Sequence, residues 1–194
     1  MFAALFLLVV VVLYRILSGF IGSGDFHWAH NFAPVAAIAL CGAVYLPRRL
    51  AAALPIAMLF ISDVVLNVFH YHFPFDPKEI LPRYVALALI SILGFALRGR
   101  ASIPRLLGAS LAGSLIFFVL SNTGSWWYEK SYPGTFSGWV QALTTGLPGY
   151  PSTLWFYRWT VLSDLFYTLL FAICMAVPFK GEVQPVAKGE LAHS

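Results

Sequence analysis

The sequence predicts an all-α integral membrane protein with six transmembrane helices. Apolar residues make up 60% of the 194 residues and charged residues only 10%, and the mean hydropathy is +0.80. Soluble domains are about 45–50% apolar and about 25% charged, so this composition excludes a water-soluble fold. The apolar residues are gathered into long runs, and helices of that length satisfy their own backbone in lipid. We therefore predict one transmembrane domain over residues 1–178 and a disordered cytoplasmic tail over 179–194.

Six apolar runs set the predicted spans. An α-helix rises about 1.5 Å per residue, so crossing roughly 30 Å of hydrocarbon takes about 20 residues. The runs cover residues 2–22, 33–46, 50–69, 82–97, 106–122 and 154–178. The first has no basic residue ahead of it, which favours a retained span over a signal peptide. The second is short, and we expect it to be tilted or partial.

The distribution of Lys and Arg sets the predicted orientation, because cytoplasmic loops collect these residues. With the N-terminus inside, the cytoplasmic segments hold Arg48, Arg49, Arg98, Arg100, Arg105, Lys180 and Lys188. The outer segments hold fewer, namely Lys78, Arg83, Lys130 and Arg158. Both chain ends are therefore expected in the cytoplasm, and the protein in the cell inner membrane.

The predicted outer loops are long and rich in histidine and aromatic residues. They cover residues 24–32, 70–77 and 124–159. Within the third loop, residues 135–143 have helical apolar spacing and predict an interfacial or re-entrant helix between spans five and six. The glycines and prolines of residues 146–151 would end it. The recognition chemistry is therefore expected on one side of the membrane.

Three charged residues lie within the predicted spans at one depth. Arg15, Asp63 and Asp164 are each fourteen residues from the predicted cytoplasmic end of their span, at position 1, 49 or 178. Charges in hydrocarbon are costly and normally find partners, so these residues predict an intramembrane charge layer. Two aspartates against one arginine leave a surplus negative charge, which a proton, a bound cation or Arg158 would balance. A buried ion pair that only stabilises the bundle explains the same pattern.

Four of the five histidines fall in the first two outer loops. His27 and His30 form an H-x-x-H pair, and His70 and His72 form an H-x-H pair. Imidazole is a good metal ligand, so these four residues are candidate metal ligands. Because neighbouring Cys or Glu ligands are lacking, an ordinary role at the membrane interface is the alternative.

The aromatic and polar residues of the outer loops predict a surface that binds a flat or amphipathic molecule. Belts of Trp and Tyr also anchor proteins at membrane interfaces, so anchoring is the alternative, above all for Trp155 and Trp159. The candidate substrate-binding residues are His27, Trp28, His30, Asn31, His70, His72, Asn122, Trp126, Trp127 and Arg158.

Small residues recur at a spacing that brings helices close together. The pairs are Ala33 with Ala37, Ala39 with Ala43, Gly108 with Ala112, and Ala109 with Gly113. They favour packing inside the bundle, or docking onto another membrane subunit.

Signatures of catalysis are missing from the sequence. It contains no H-E-x-x-H, no G-x-S-x-G and no phosphate-binding loop. Cys41 and Cys174 both lie in apolar runs, where cysteine behaves as a small apolar residue. The net charge of +4 is scattered and forms no basic face. We therefore predict no enzyme activity, no cofactor and no nucleic-acid partner.

Several short motifs are similar to those of a bacterial family. Residues 31–40 begin Asn-Phe-Ala-Pro, and Ser-Asp pairs occur at Ser62 and Ser163, with Ser-Asn-Thr-Gly at 121–124. Together they resemble a family of small uncharacterised bacterial membrane proteins that carry an Asn-Phe-Ser-Pro-type segment, over about residues 29–172.

The predicted architecture also resembles the S-components of energy-coupling-factor vitamin transporters. Those proteins dock a coupling subunit through an Ala-x-x-x-Ala face on their first helix, whereas here Ala33 and Ala37 begin the second run. The resemblance implies a substrate-binding transport protein that captures a vitamin-like or metal-containing small molecule from the outer side. The alternative is an accessory or assembly subunit of a larger membrane complex without transport activity. The expected partners are the lipid bilayer and either a small molecule or other membrane subunits.

Overall fold

The computed structural model describes residues 2–21, 32–72, 77–128 and 130–176, and the chain in these ranges is helical. Its seven α-helices are α1 (Phe2–Ile21), α2 (Val35–Tyr45), α3 (Ala53–Leu66), α4 (Pro77–Leu97), α5 (Ile103–Tyr128), α6 (Phe136–Leu143) and α7 (Thr153–Ala176). A π-helical turn, Asn67–Tyr71, continues α3. The all-α prediction is confirmed for this part of the chain. The predicted tail at 179–194 lies outside it.

Five helices are long and apolar enough to cross a membrane: α1, α3 with its π-helical turn, α4, α5 and α7. Their outward faces carry large apolar side chains, including Phe6 (69% exposed), Ile61 (57%), Ile92 (62%) and Phe166 (55%). Exposed apolar surface of this kind is typical of contact with lipid. Length, composition and surface therefore all fit a helical membrane protein.

The second apolar run forms α2, which is too short to cross a membrane. Its 11 residues rise about 16 Å, roughly half the hydrocarbon thickness. Pro34 precedes it and Pro47 follows its end closely, and proline is poorly tolerated inside a helix. Every residue from Val35 to Val44 is buried, as expected for a helix that is apolar on all sides. Six membrane-crossing helices are therefore not confirmed, since the second run is a buried helix of half the required length.

The short helix α2 is the centre of the bundle, because it contacts all five long helices. The turns at 46–52 and 98–102 lie together, since Arg98 reaches the carbonyl oxygen of Ala43. We call this the basic end of the bundle. The opposite end carries the connection from α5 to α7, with the exposed residues Trp127 and Tyr150. We call this the aromatic end.

One stretch predicted only as outer loop is helical instead, since α5 extends to Tyr128 and carries the aromatic residues of 124–128 on helical turns. The helix α7 begins at Thr153, one residue before the sixth predicted run, so residues 155–159 are helical as that run predicted. At Gly124 the helix α4 approaches so closely that an added Cβ would lie 2.5 Å from the Pro82 ring. Contact with α4 therefore supports α5 beyond its predicted end. The helix predicted in residues 135–143 is present as α6.

Close packing of α4 on α2 depends on a second glycine, Gly94. A Cβ added there would lie 2.6 Å from the Cβ of Ala43 and 2.7 Å from the carbonyl oxygen of Leu40. The second contact is with backbone, which cannot rotate away. By contrast, a Cβ added to Gly108 of α5 meets nothing within 4 Å.

The two glycines give a matched test of this packing. We expect Gly94→Ala to lower the midpoint of thermal unfolding in detergent, because overpacking costs about 1–3 kcal/mol. The same change at Gly108 should leave the midpoint unchanged or raise it slightly, since alanine is the better helix former. Equal effects of the two substitutions would contradict the close approach of α4 to α2.

Candidate functional site

An ion pair joins α1 to α3 near the middle of the bundle. The Nη2 atom of Arg15 lies 2.6 Å from Oδ1 of Asp63, and Nη1 of Arg15 donates to the hydroxyl oxygen of Ser62. Tyr84 of α4 donates its hydroxyl hydrogen to the second oxygen of Asp63, Oδ2, at 3.1 Å. The side chains of Arg15 and Asp63 are only 17% and 16% exposed. One carboxylate therefore links three helices.

The second intramembrane aspartate, Asp164 of α7, has different partners. It is fully buried, and its Oδ1 accepts the backbone N–H of Ala37, 127 residues away, at 2.9 Å. Its Oδ2 accepts the hydroxyl hydrogen of Ser114 at 2.6 Å. Ala37 lies in the first turn of α2, where unpaired N–H groups and the helix dipole favour a negative charge. Asp164 therefore caps α2, and Arg15 pairs with Asp63.

The C-terminal end of α2 is capped by a cation. Arg98, just beyond α4, donates from Nη2 to the carbonyl oxygen of Ala43 at 2.7 Å and from Nε to the same oxygen at 3.1 Å. It also donates to the carbonyl oxygen of Leu46. The last carbonyls of a helix lack intrahelical partners and carry partial negative charge, so a guanidinium is well placed there. Both ends of α2 therefore meet a side chain of the complementary charge.

A polar cavity of about 160 Å³ adjoins the ion pair, and we call it the charged cavity. It is lined by Arg15, Gly19, Ala33, Asp63, Leu66, Asn67 and Arg83. Gly19 and Asn67 each lie four residues beyond the ion pair toward the aromatic end, a rise of about 6 Å. The cavity therefore extends from the middle of the bundle toward the aromatic end. Arg83 was counted at the sequence level only for orientation, yet it lies inside the apolar helix segment Ile80–Leu97.

The candidate metal ligands are only partly described. His27 and His30 lie outside the described residues, as do the binding candidates Trp28 and Asn31. The ring of His70 lies edge-on to Phe20, with centroids 5.3 Å apart. His72 is exposed, and its Nδ1 is 3.1 Å from the backbone oxygen of His70. Among the described residues no group of three His, Cys, Asp or Glu could hold a metal, so the four-histidine site stays a prediction.

The remaining binding candidates lie away from the ion pair, between α5 and α7. Trp126 donates its indole hydrogen to the carbonyl oxygen of Pro133 at 2.9 Å, and Trp127 is 71% exposed. Asn122 donates to the carbonyl oxygen of Phe118 within its own helix. It also lines a cavity of about 240 Å³ with Tyr132, Gly146, Leu147, Tyr150, Pro151, Thr153 and Phe156. The structure therefore separates these aromatic candidates from the charged cavity.

Arg158 does not balance the charge of Asp164. Its guanidinium carbon lies 5.0 Å from the ring of Trp155 and 5.2 Å from the ring of Trp159, in the range of cation–π contacts. Asp164 is instead hydrogen-bonded to the first turn of α2 and to Ser114. Trp155 and Trp159 are accordingly held by a cation on their own helix.

Most of the small-residue pairs are used inside the bundle. Ala37, Ala39 and Ala43 are fully buried on α2, and Ala109 and Gly113 are buried on α5. The exception is the pair of Gly108 and Ala112, which is exposed on α5. Packing within the bundle therefore accounts for three of the four pairs, at least in part.

The comparison with protein families identifies the chain. The model of a family described as "Family of unknown function (DUF6580)" matches residues 1–184. The chain belongs to the DUF6580 family. The match confirms the sequence-based expectation of an uncharacterised family, and it includes the ion pair, both caps of α2 and the cavity. No curated protein and no solved structure matches the chain. The resemblance to S-components therefore gains no support and stays a prediction.

Several residues of the DUF6580 site were not predicted from the sequence. Tyr84 and Asn67 carried no signal of their own, since a tyrosine or asparagine near a predicted span end is usually interfacial. Arg98 was counted only as a cytoplasmic charge. Arg83 did carry a signal, because it lies next to Pro82, where the fourth run was taken to begin. A longer fourth span would have placed this cation within the membrane.

The ion pair of this DUF6580 protein can be tested by a double-mutant cycle. We expect Asp63→Asn to destabilise by about 3–5 kcal/mol, because it leaves the arginine buried without a counter-charge. Arg15→Met should cost less, since a carboxylate left alone can take up a proton whereas a guanidinium cannot lose one. The double variant Arg15→Met/Asp63→Asn, which leaves neither charge unpaired, should regain much of the stability that Asp63→Asn loses.

The measurement is chemical unfolding in mixed micelles, with Arg100→Gln as a control that removes an exposed cation from the basic end. Additive effects of the two single changes would show that the residues do not interact.

Proposed function

We propose that the protein is a substrate-binding membrane transport protein, which takes a small molecule from the outer side into the charged cavity. The proposal places both chain ends in the cytoplasm and the aromatic end outside, in the bacterial inner membrane. It follows the positive-inside rule, because the turns of the basic end hold four arginines, Arg48, Arg49, Arg98 and Arg100. The resemblance to S-components also implies that the solute is captured from the outer side.

The single observation that carries this proposal is the polar cavity beside the ion pair. A purely structural ion pair would be surrounded by packed side chains, because voids in a bundle cost stability. Here about 160 Å³ is left open next to Arg15 and Asp63. Most polar binding sites are concave and offer a few converging polar groups, and this cavity has that character.

The position at which the short helix α2 begins supports the same function. Membrane transporters often bind their substrate near the middle of the bilayer, where a helix is interrupted and its end faces the site. In this chain α2 begins at Val35, level with Asp164 in the middle of α7, and Ala33 just before it lines the cavity. Ala33, which precedes α2, is thus next to the proposed solute.

The proposed orientation can be tested with cysteine labelling. In a background with Cys41→Ala and Cys174→Ala, we expect Tyr150→Cys to react with a membrane-impermeant maleimide on intact cells. We expect Arg100→Cys to react only after the cells are permeabilised, because it lies at the basic end. Both positions are exposed, so accessibility within the protein does not limit the reaction. The reverse pattern would turn the cavity toward the cytoplasm and refute uptake from the outer side.

Solute binding can be tested by native mass spectrometry of the gently solubilised protein. We expect one bound small molecule per chain, and we expect Asn67→Phe to remove it by filling the cavity. Gly108→Phe adds similar bulk where a Cβ meets nothing within 4 Å, and should retain the molecule. Loss of saturable uptake in cells should accompany Asn67→Phe alone. A chain free of small molecules, whose cells show no uptake that depends on it, would contradict the proposal.

The second candidate function is that of an accessory or assembly subunit of a larger membrane complex. The exposed pair of Gly108 and Ala112 favours it, because small residues on a membrane-facing helix allow another helix to approach. The same mass spectra distinguish the two functions, since a partner subunit adds a protein-sized mass. Gly108→Phe should then release the partner and leave any bound small molecule in place.

A further inference from the structure

Donor groups of arginine line the charged cavity. Each oxygen of Asp63 already accepts one hydrogen bond, one from Arg15 and one from Tyr84. Each Nη atom of Arg15 donates one hydrogen bond, to Ser62 or to Asp63, whereas a guanidinium carries two hydrogens on each Nη atom. Arg15 therefore keeps donors for an acceptor in the cavity that it lines.

Arg83 adds a second cation to the same cavity. It lines the cavity with Arg15 and Asp63, and it forms no ion pair with a side chain that the structure describes. Two guanidinium groups against one carboxylate leave one positive charge on the described lining. Charges act strongly on each other in a medium of low dielectric constant, so a single negative charge is the favoured complement.

The volume of the cavity limits the size of the ligand, and the geometry of the guanidinium groups limits its chemical class. About 160 Å³ corresponds to roughly five water molecules at about 30 Å³ each, and pockets for drug-sized ligands begin at about 300 Å³. The ligand is therefore smaller than the vitamin-like molecules that the S-component resemblance implies. A guanidinium presents its N–H groups as a planar fork that matches the two oxygens of a carboxylate.

We propose that the charged cavity binds a small monocarboxylate anion, whose two oxygens accept hydrogen bonds from the guanidinium groups of Arg83 and Arg15. The amide of Asn67, which also lines the cavity, is available to the remainder of the molecule. This inference rests on the proposed function, because it names the class of solute for the same cavity.

The test uses thermal unfolding of the full chain in detergent at constant ionic strength, with acetate and propionate as probes. A ligand that binds only the folded state raises the unfolding midpoint in proportion to its saturation. We expect both carboxylates to raise the midpoint of the wild type above that in chloride. Acetamide, which has the shape of acetate without its charge, and methylammonium should have no such effect.

Substitutions of a residue that lines the charged cavity test whether the carboxylate binds there. We expect Arg83→Gln to weaken the apparent affinity for propionate by about tenfold to a hundredfold, the loss of one hydrogen bond to a charged group. Arg83→Lys keeps the charge without the fork and should lie between Arg83→Gln and the wild type. Arg100→Gln removes an exposed cation at the basic end and should bind as the wild type does. Because Arg83 is exposed and has no ion-pair partner among the described residues, its variants should fold.

The possible outcomes separate this inference from the proposed function. Equal shifts with acetate, acetamide and chloride, or carboxylate binding unchanged by Arg83→Gln, would refute a carboxylate site in this cavity. A neutral or cationic molecule in the native mass spectra would refute it too, while leaving transport intact. Carboxylate binding that is lost in Arg83→Gln would support the site. If cells that produce the wild-type protein then showed no uptake, the result would count against transport and leave the site in place.

Discussion

The structure depends on satisfying the two ends of a short buried helix. The first N–H groups and last carbonyl groups of any helix lack partners within it, and the ends of α2 are surrounded by other helices instead of water. An unsatisfied backbone group in an apolar environment costs several kcal/mol. Asp164 accepts a hydrogen bond from the N-terminal end of α2, and Arg98 donates to carbonyl oxygens at its C-terminal end. An acidic group at the first end and a basic group at the second also suit the helix dipole. Because α2 contacts all five long helices, these two side chains hold the centre of the bundle in place.

This arrangement explains how Asp63 and Asp164 have different partners. The carboxyl group of Asp164 accepts hydrogen bonds from the first turn of α2 and from Ser114, and no cation contacts it among the described residues. Arg15 is then free to pair with Asp63 alone. The two acidic groups have separate roles, since one positions a helix and the other lies beside a cavity. The ion pair is for this reason the better candidate for contact with a solute.

The sequence was informative where the pattern is local. Runs of apolar residues predicted five long helices close to where they lie, because hydropathy over about 20 residues depends little on tertiary contacts. The helical spacing of residues 135–143 likewise predicted α6. The ends of α5 were missed, since the pattern cannot show that Pro82 packs on Gly124 and supports further turns. The short length of the second run was noticed, but its place at the centre depends on contacts with every other long helix.

The site was less predictable, because its bonds join distant parts of the chain. Placing Arg15, Asp63 and Asp164 at one depth identified the charged residues, but depth alone could not pair them. The bond from Ala37 to Asp164 crosses 127 residues, and no local pattern predicts such a contact. Composition drew attention to the histidines and tryptophans instead, because these residues are uncommon and chemically versatile. Asn67 has ordinary sequence surroundings and becomes notable only once the fold brings it to the cavity.

Among the described residues, one hydrogen bond joins α4 to the ion pair beside the cavity. The cavity is lined by α1, by α4, by Ala33 just before α2, and by the end of α3, which passes into its π-helical turn at Asn67. At this level Tyr84 connects α4 to Asp63 through one hydrogen bond, whereas Arg83 makes no ion pair among the described residues. A ligand held by both Arg15 and Arg83 would tie α4 to α1 by charge as well. A ligand that contacts both helices would bind more tightly when they are close together, and it would shift the conformational equilibrium toward that state. On the other side, the long helices contact α2, whose two ends are held by Asp164 and Arg98.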